Sequence, residues 1–137
     1  MTKGLWETFG EIPLLLRIAC AASFFLGVFQ VIAIILPSAS PQIGGASLTN
    51  PVLMLVMGVA HIALGWGIFA RKKLVMPFLA ILPLFQYGVL YLDMGLPDKD
   101  AIYTNLGMSF GWLLFFGLYF LSSSVRRYFD FGAGKYA

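Results

Sequence analysis

Residues 51–92 read PVLMLVMGVAHIALGWGIFARKKLVMPFLAILPLFQYGVLYL. Two long apolar runs flank one basic triplet, Arg71-Lys72-Lys73, and neither run contains Asp, Glu, Lys or Arg. A helix needs about 20 predominantly apolar residues to cross a hydrocarbon core ~30 Å thick. Each run approaches that length, and the short basic turn predicts that the two are antiparallel neighbours. The stretch reads as a transmembrane helical hairpin.

Outward from this hairpin the same pattern repeats. Apolar stretches run roughly 18–36, 51–70, 74–92 and 104–121. The expected fold is an all-α integral membrane protein, with four transmembrane helices in an antiparallel bundle. Residues 1–137 read as one membrane domain, because the aqueous segments are too short to fold separately. Composition agrees: 11% of residues are charged, against about 25% in an ordinary soluble domain.

Charge is segregated along the chain. Lys3, Arg17, Arg71, Lys72, Lys73, Arg126, Arg127 and Lys135 fall on one side if alternate connections share a side; the other side holds only Lys99. This asymmetry follows the positive-inside rule. It predicts a multi-pass protein of the bacterial cytoplasmic (inner) membrane with both termini cytoplasmic. The net charge of +3 then belongs to flanks that meet anionic headgroups, not to a nucleic-acid surface.

The connections carry their own signals. In residues 1–17, Leu5, Trp6, Phe9 and Ile12 recur at helical spacing beside Lys3, Glu7 and Glu11, as in a short interfacial helix. Pro13 ends or bends it. The small residues Ser38-Ala39-Ser40 resemble a signal cleavage site, but the preceding run is long for a signal core and Pro41 would follow the cut. The first span therefore reads as a retained anchor. Residues 37–50 form an uncharged connection rich in Pro, Gly and Ser, closed by Asn50-Pro51, a good helix start. Asp98 or Asp100 is placed to cap span four. Asp93, Asp98 and Asp100 read as solvated loop carboxylates, so no metal site is expected. In the tail, 122–137, Tyr128, Phe129 and Phe131 beside Arg126 and Arg127 resemble an interfacial anchor.

No Asp, Glu, Lys or Arg falls deep in a span. Intramembrane ionisable groups mark ion relays and voltage sensors, and this chain offers neither. Its interior polar groups are Gln30, His61, Gln86 and the mid-span Trp112. Ala19, Ser23 and Gly27 repeat every four residues, and Gln30 continues that face. Gly58, His61 and Gly65 share a face of span two, and Gly107 and Gly111 form a GxxxG pair in span four. Small residues let helices approach closely in lipid.

Gln30 and Gln86 each lie about six residues from the outer end of their span, roughly 9 Å down, and His61 roughly 15 Å down. Pro83 removes the donor that would bond the Leu79 carbonyl, leaving an acceptor for His61, Trp112 or water. Gln30, His61, Gln86 and Tyr87 are thus ligand- or pore-lining candidates, with Tyr91 and Asp93 as the mouth of a cavity. Interhelical glue is the plainer alternative, at about 0.6 kcal/mol on average and up to ~1.7.

No cofactor is expected. Haem through His61 is disfavoured because it is the chain's single histidine, so a second ligand would have to come from Met54, Met57 or another copy. Cys20, also single, reads as a packing residue. Ser23 and Ser109 lack a carboxylate-oriented histidine at their depth, so no catalytic residue is assigned.

The expected function is a small non-catalytic subunit or homo-oligomeric scaffold of a membrane complex. It would pack through small-residue helix faces and through the aromatic face of span four, Phe110, Trp112, Phe115, Phe116, Tyr119 and Phe120. Partners would be the lipid bilayer, further copies or other membrane subunits. The alternative is an oligomeric small-solute transporter or channel using Gln30, His61 and Gln86. A quinone-, lipid- or haem-linked enzyme subunit is the weaker alternative.

Overall fold

The computed structural model describes residues 4–36, 42–43 and 46–129. Its regular structure is helical apart from one pair of two-residue strands, and four of its helices are long and apolar enough to cross a membrane. In chain order the elements are α1 (Leu5–Gly10), α2 (Leu14–Ala33), β1 (Gln42–Ile43), β2 (Ala46–Ser47), α3 (Pro51–Phe69), α4 (Val75–Met94), α5 (Lys99–Tyr119) and α6 (Ser123–Tyr128). The strands pair antiparallel, Gln42 with Ser47 and Ile43 with Ala46. Phe131 of the expected tail anchor, the flanking Lys3 and Lys135, and Ser38, Ala39, Ser40 and Pro41 lie outside the described residues.

Local chemistry accounts for the helix ends. Glu7 accepts from the Gly4 amide at 3.1 Å, closing the first turn of α1. Helix α2 starts at Leu14, four residues before the expected boundary of span one. Pro13 sits at its N-cap, and Arg17, in its first turn, donates back to the carbonyls of Gly10 and Ile12. The Asn50 side chain accepts from the Val52 and Leu53 amides, with Pro51 at the first helical position. Of the two candidates for capping α5, Asp98 takes the role, accepting from the Ala101 amide at 2.8 Å. Gly95, at φ +83°, ends α4 in a conformation suited to glycine.

The α3–α4 turn is a Schellman arrangement. Lys72 N–H donates to the Gly67 carbonyl and Arg71 N–H to the Ile68 carbonyl. Arg71 holds the left-handed position normally given to glycine, at φ 55°. Its side chain bonds the Glu11 carboxylate at 2.6 Å, and its guanidinium lies 4.9 Å from the Tyr128 ring centroid. Tyr128 is buried and donates to the Ile68 carbonyl at 2.7 Å. Loss of solvent raises the Tyr128 phenol above its ordinary pKa against the opposing pull of Arg71. It therefore remains a neutral donor. The N-terminal segment, the basic turn and α6 are thereby joined at one end of the molecule.

Helices α2 and α3 form the most extensive pair; α4 packs on α5, and α3 meets α4 more sparsely. On α2 the buried positions from Leu16 to Gln30 are Leu16, Cys20, Ser23, Gly27 and Gln30, with Ala33 beyond them; on α3 the buried positions include Met54, Met57, His61, Leu64 and Ile68. Up to Gln30 on α2, and from Met54 to Ile68 on α3, these positions alternate steps of three and four, the 3.5-residue period of a knobs-into-holes seam. Gly27 and Gly58 bring the backbones together. A Cβ on Gly27 would lie 2.8 Å from the Gly58 carbonyl oxygen, and one on Gly58 would lie 3.0 Å from that of Gly27. Nearer the basic end, Cys20 Sγ donates to the Gly65 carbonyl at 3.3 Å.

Two apolar clusters occupy the ends of the seam. One joins Ile12, Leu16, Cys20, Leu64 and Ile68 to Val75, Met76, Leu79, Ala80, Phe116, Val125, Tyr128 and Phe129. The other contains Ala33, Leu48, Met54, Met57, Val89 and Leu90. Leu48 is buried and β1 contacts α4, so these described parts of the segment before α3 lie against the helices.

Candidate functional site

Ser23 and Gln30 on α2 and His61 on α3 lie between the two clusters in chain order; with Ser109 on α5 they are the buried polar side chains among the described residues. None carries a formal charge. In a hydrocarbon setting such groups must find partners inside the protein.

His61 finds two. Its Nδ1–H donates to the Met57 carbonyl at 2.8 Å, and its Nε2 lies 2.9 Å from Gln86 Nε2. With the first nitrogen committed as donor, the second is the acceptor and the Gln86 amide donates. This assigns one neutral tautomer. The pair links α3 to α4, and the two side chains bridge the difference in depth expected between them. Both ring nitrogens are used.

Gln30 is buried on the α2–α3 seam, its Cβ close to Gly58. Its Oε1 has no hydrogen-bond partner among the described residues. An unpaired amide oxygen inside a protein costs about 1–3 kcal/mol, so Gln30 is the least satisfied member of the layer.

The other candidates are distributed elsewhere. Tyr87 packs against the cluster around Met57 and Val89, and its ring stacks on Tyr91 with centroids 6.2 Å apart. Tyr91 OH accepts from Asn105 Nδ2 at 2.6 Å, joining α4 to α5. Asp93 accepts from the backbone amides of Thr49 and Asn50 and from the Thr49 hydroxyl. It therefore ties the end of α4 to the start of α3. The six expected lining residues thus divide into the His61–Gln86 bond, the seam residue Gln30, and the outer ties made by Tyr91 and Asp93, with Tyr87 between them.

Trp112 Nε1 donates to the Leu79 carbonyl at 2.7 Å, and its ring lies 4.5 Å from that of Phe116. Phe116 is buried, whereas Phe110 and Phe115 are exposed and Tyr119 is half-buried. Ala19 is half-buried against the basic-end cluster, and Cys20 takes the central seam position beside it. Gly65 approaches the Cys20 carbonyl, whereas Gly107 and Gly111 face open space.

Sequence reasoning missed Asn105 and the capping role of Asp93. Asn105 sits one turn before Ser109, whose hydroxyl donates to the Asn105 carbonyl at 2.8 Å. A polar i, i+4 pair early in an apolar span was the available signal.

A cavity of about 460 Å³ is separate from this layer. It is an apolar groove between α3 and α4 that includes Ala60, Ala63, Phe78, Ile81 and Phe85, with Lys72 at its turn end. Comparison with known protein families, curated proteins and solved structures finds no match for the chain.

Proposed function

We propose that this chain is a small non-catalytic subunit or homo-oligomeric scaffold of a complex in the bacterial inner membrane. In this reading the four long helices form an antiparallel bundle with both termini on the cytoplasmic side. The meeting of α1, the basic turn and α6 at one end supports that orientation, as does the charge segregation.

The observation that carries the reading is the bareness of α5. Only Ser109 and Phe116 of its residues are buried, whereas α3 buries eight. The unburied face combines Gly107 and Gly111 with Phe110, Leu114, Phe115 and Leu118. Glycines four apart allow close helix approach, and adjacent aromatic rings supply contact area. Crosslinking in native membranes from cysteines placed at Gly107 or Leu114 should capture one discrete adduct of constant size. A ladder of random adducts, or none, would remove the reading.

Gln30 supports a second reading, an oligomeric small-solute path. Its unpaired buried oxygen can accept a hydrogen bond from a neutral polar solute. Gln30→Leu should then abolish solute flux in proteoliposomes while leaving the amount of folded protein unchanged. Unchanged flux would eliminate a path through this layer.

A further inference from the structure

We propose that the groove between α3 and α4 is a binding site for one acyl chain of an anionic phospholipid, with its phosphate held by Lys72. Three independent features converge on this occupant. The groove's volume, about 460 Å³, falls in the ordinary range of ligand sites, and its walls are almost wholly apolar. Ala60 and Ala63 of α3 leave room that Phe78, Ile81 and Phe85 of α4 enclose from the other side.

Length supplies the second feature. From Val75 to Phe85 the groove follows ten helical residues, about 15 Å of rise. That is half of a ~30 Å hydrocarbon core, the depth available to one leaflet's acyl chain. The groove therefore runs from the basic turn towards the membrane centre without crossing it.

The third feature is charge. Of the basic triplet, Arg71 is turned towards Glu11 and Tyr128. Lys72 instead lines the turn end of the groove, and it is exposed. An ammonium at the headgroup end of an apolar slot complements a lipid phosphate. A sterol or an isoprenoid quinone would fill the slot without using this charge. The site is separate from the polar layer and from the bare face of α5, so it stands whether or not the proposed scaffold role does.

The test is native mass spectrometry of delipidated full-length protein titrated with phosphatidylglycerol or with phosphatidylcholine of matched acyl chains. The wild type should retain one phosphatidylglycerol per chain, with about fivefold preference over phosphatidylcholine, the contribution of one lysine near an anionic surface. Lys72→Gln should abolish the preference, and Lys72→Arg should keep it. Lys73→Gln should leave it largely intact. Ala63→Phe, or the milder Ala63→Leu, should weaken retention of both lipids by filling the slot. Equal retention of the two lipids by the wild type would overturn the proposal. So would a preference that survives Lys72→Gln, equal effects of Lys72→Gln and Lys73→Gln, or unaltered retention in both Ala63 variants. Crosslinking of Ala63→Cys to a second copy across the groove would assign the slot to a helix and overturn it as well.

Discussion

The indole of Trp112 on α5 donates to the carbonyl of Leu79 on α4 at 2.7 Å, the acceptor that Pro83 leaves without its intrahelical donor. Proline at i+4 has no N–H to offer, and a carbonyl buried away from water needs a partner. A defect in one helix thus becomes an attachment point for the next. Trp112→Phe should destabilise the detergent-dispersed protein by about 1–3 kcal/mol, the cost of an orphaned buried acceptor. In a Pro83→Ala background the residue at 83 regains its N–H, so the same substitution should cost measurably less. Equal costs in the two backgrounds, from reversible unfolding, would show that the indole does not serve this carbonyl.

The glycines of the chain should sort into two groups. Gly27→Ala places a methyl within 2.8 Å of the Gly58 carbonyl oxygen and should cost about 1–3 kcal/mol as an overpacked contact. Gly111→Ala meets no atom of its own chain and should change monomer stability by less than ~0.5 kcal/mol. The comparison is made by unfolding in mixed micelles. Similar losses at both positions would place the close helix contact elsewhere.

The His61–Gln86 bond has a measurable coupling. His61→Leu and Gln86→Leu should each destabilise, while the double variant should lose less than the sum. The shortfall should be about 0.6–1.7 kcal/mol, as for interhelical bonds within membranes. Additive losses in the double-mutant cycle would mean that the two side chains do not interact.

At the basic end, Tyr128→Phe removes the donor to Ile68 and should cost about 0.5–1.5 kcal/mol. It should also speed proteolysis after Arg126 and Arg127, because α6 loses its anchor on α3. Glu11→Gln should have a smaller effect, below ~1 kcal/mol, since its ion pair with Arg71 is solvent-accessible. A larger loss from Glu11→Gln than from Tyr128→Phe would reverse this ranking.

What could be read in the sequence was local or periodic. Span lengths, Asn50 and Asp98 as caps, and the polar placement of Gln30 and His61 follow from spacing and from position at a helix start. The acceptor freed by Pro83 was also legible, with Trp112 among its possible partners. Harder to read were contacts between segments far apart in sequence. Asp93 lies more than 40 residues after the amides it accepts from, so no local pattern announces it. Tyr128 is similarly distant from Ile68 and looked like an interfacial aromatic rather than a buried tie. The expected seam through Ala19 was one residue out of phase with the buried Cys20 because four-residue spacing drifts around a helix, whereas the α2–α3 seam keeps a 3.5-residue period.

If the bare face of α5 is an association surface, the state of assembly depends on it. The decisive measurement is native mass spectrometry from mild detergent, comparing wild type with Gly107→Leu and Gly111→Leu. The wild type should give one complex of fixed stoichiometry. Both variants should release folded single chains, since leucine on this open face spares the chain's own packing. A wild-type protein that is monomeric from native membranes, with no partner retained, would contradict association through this face.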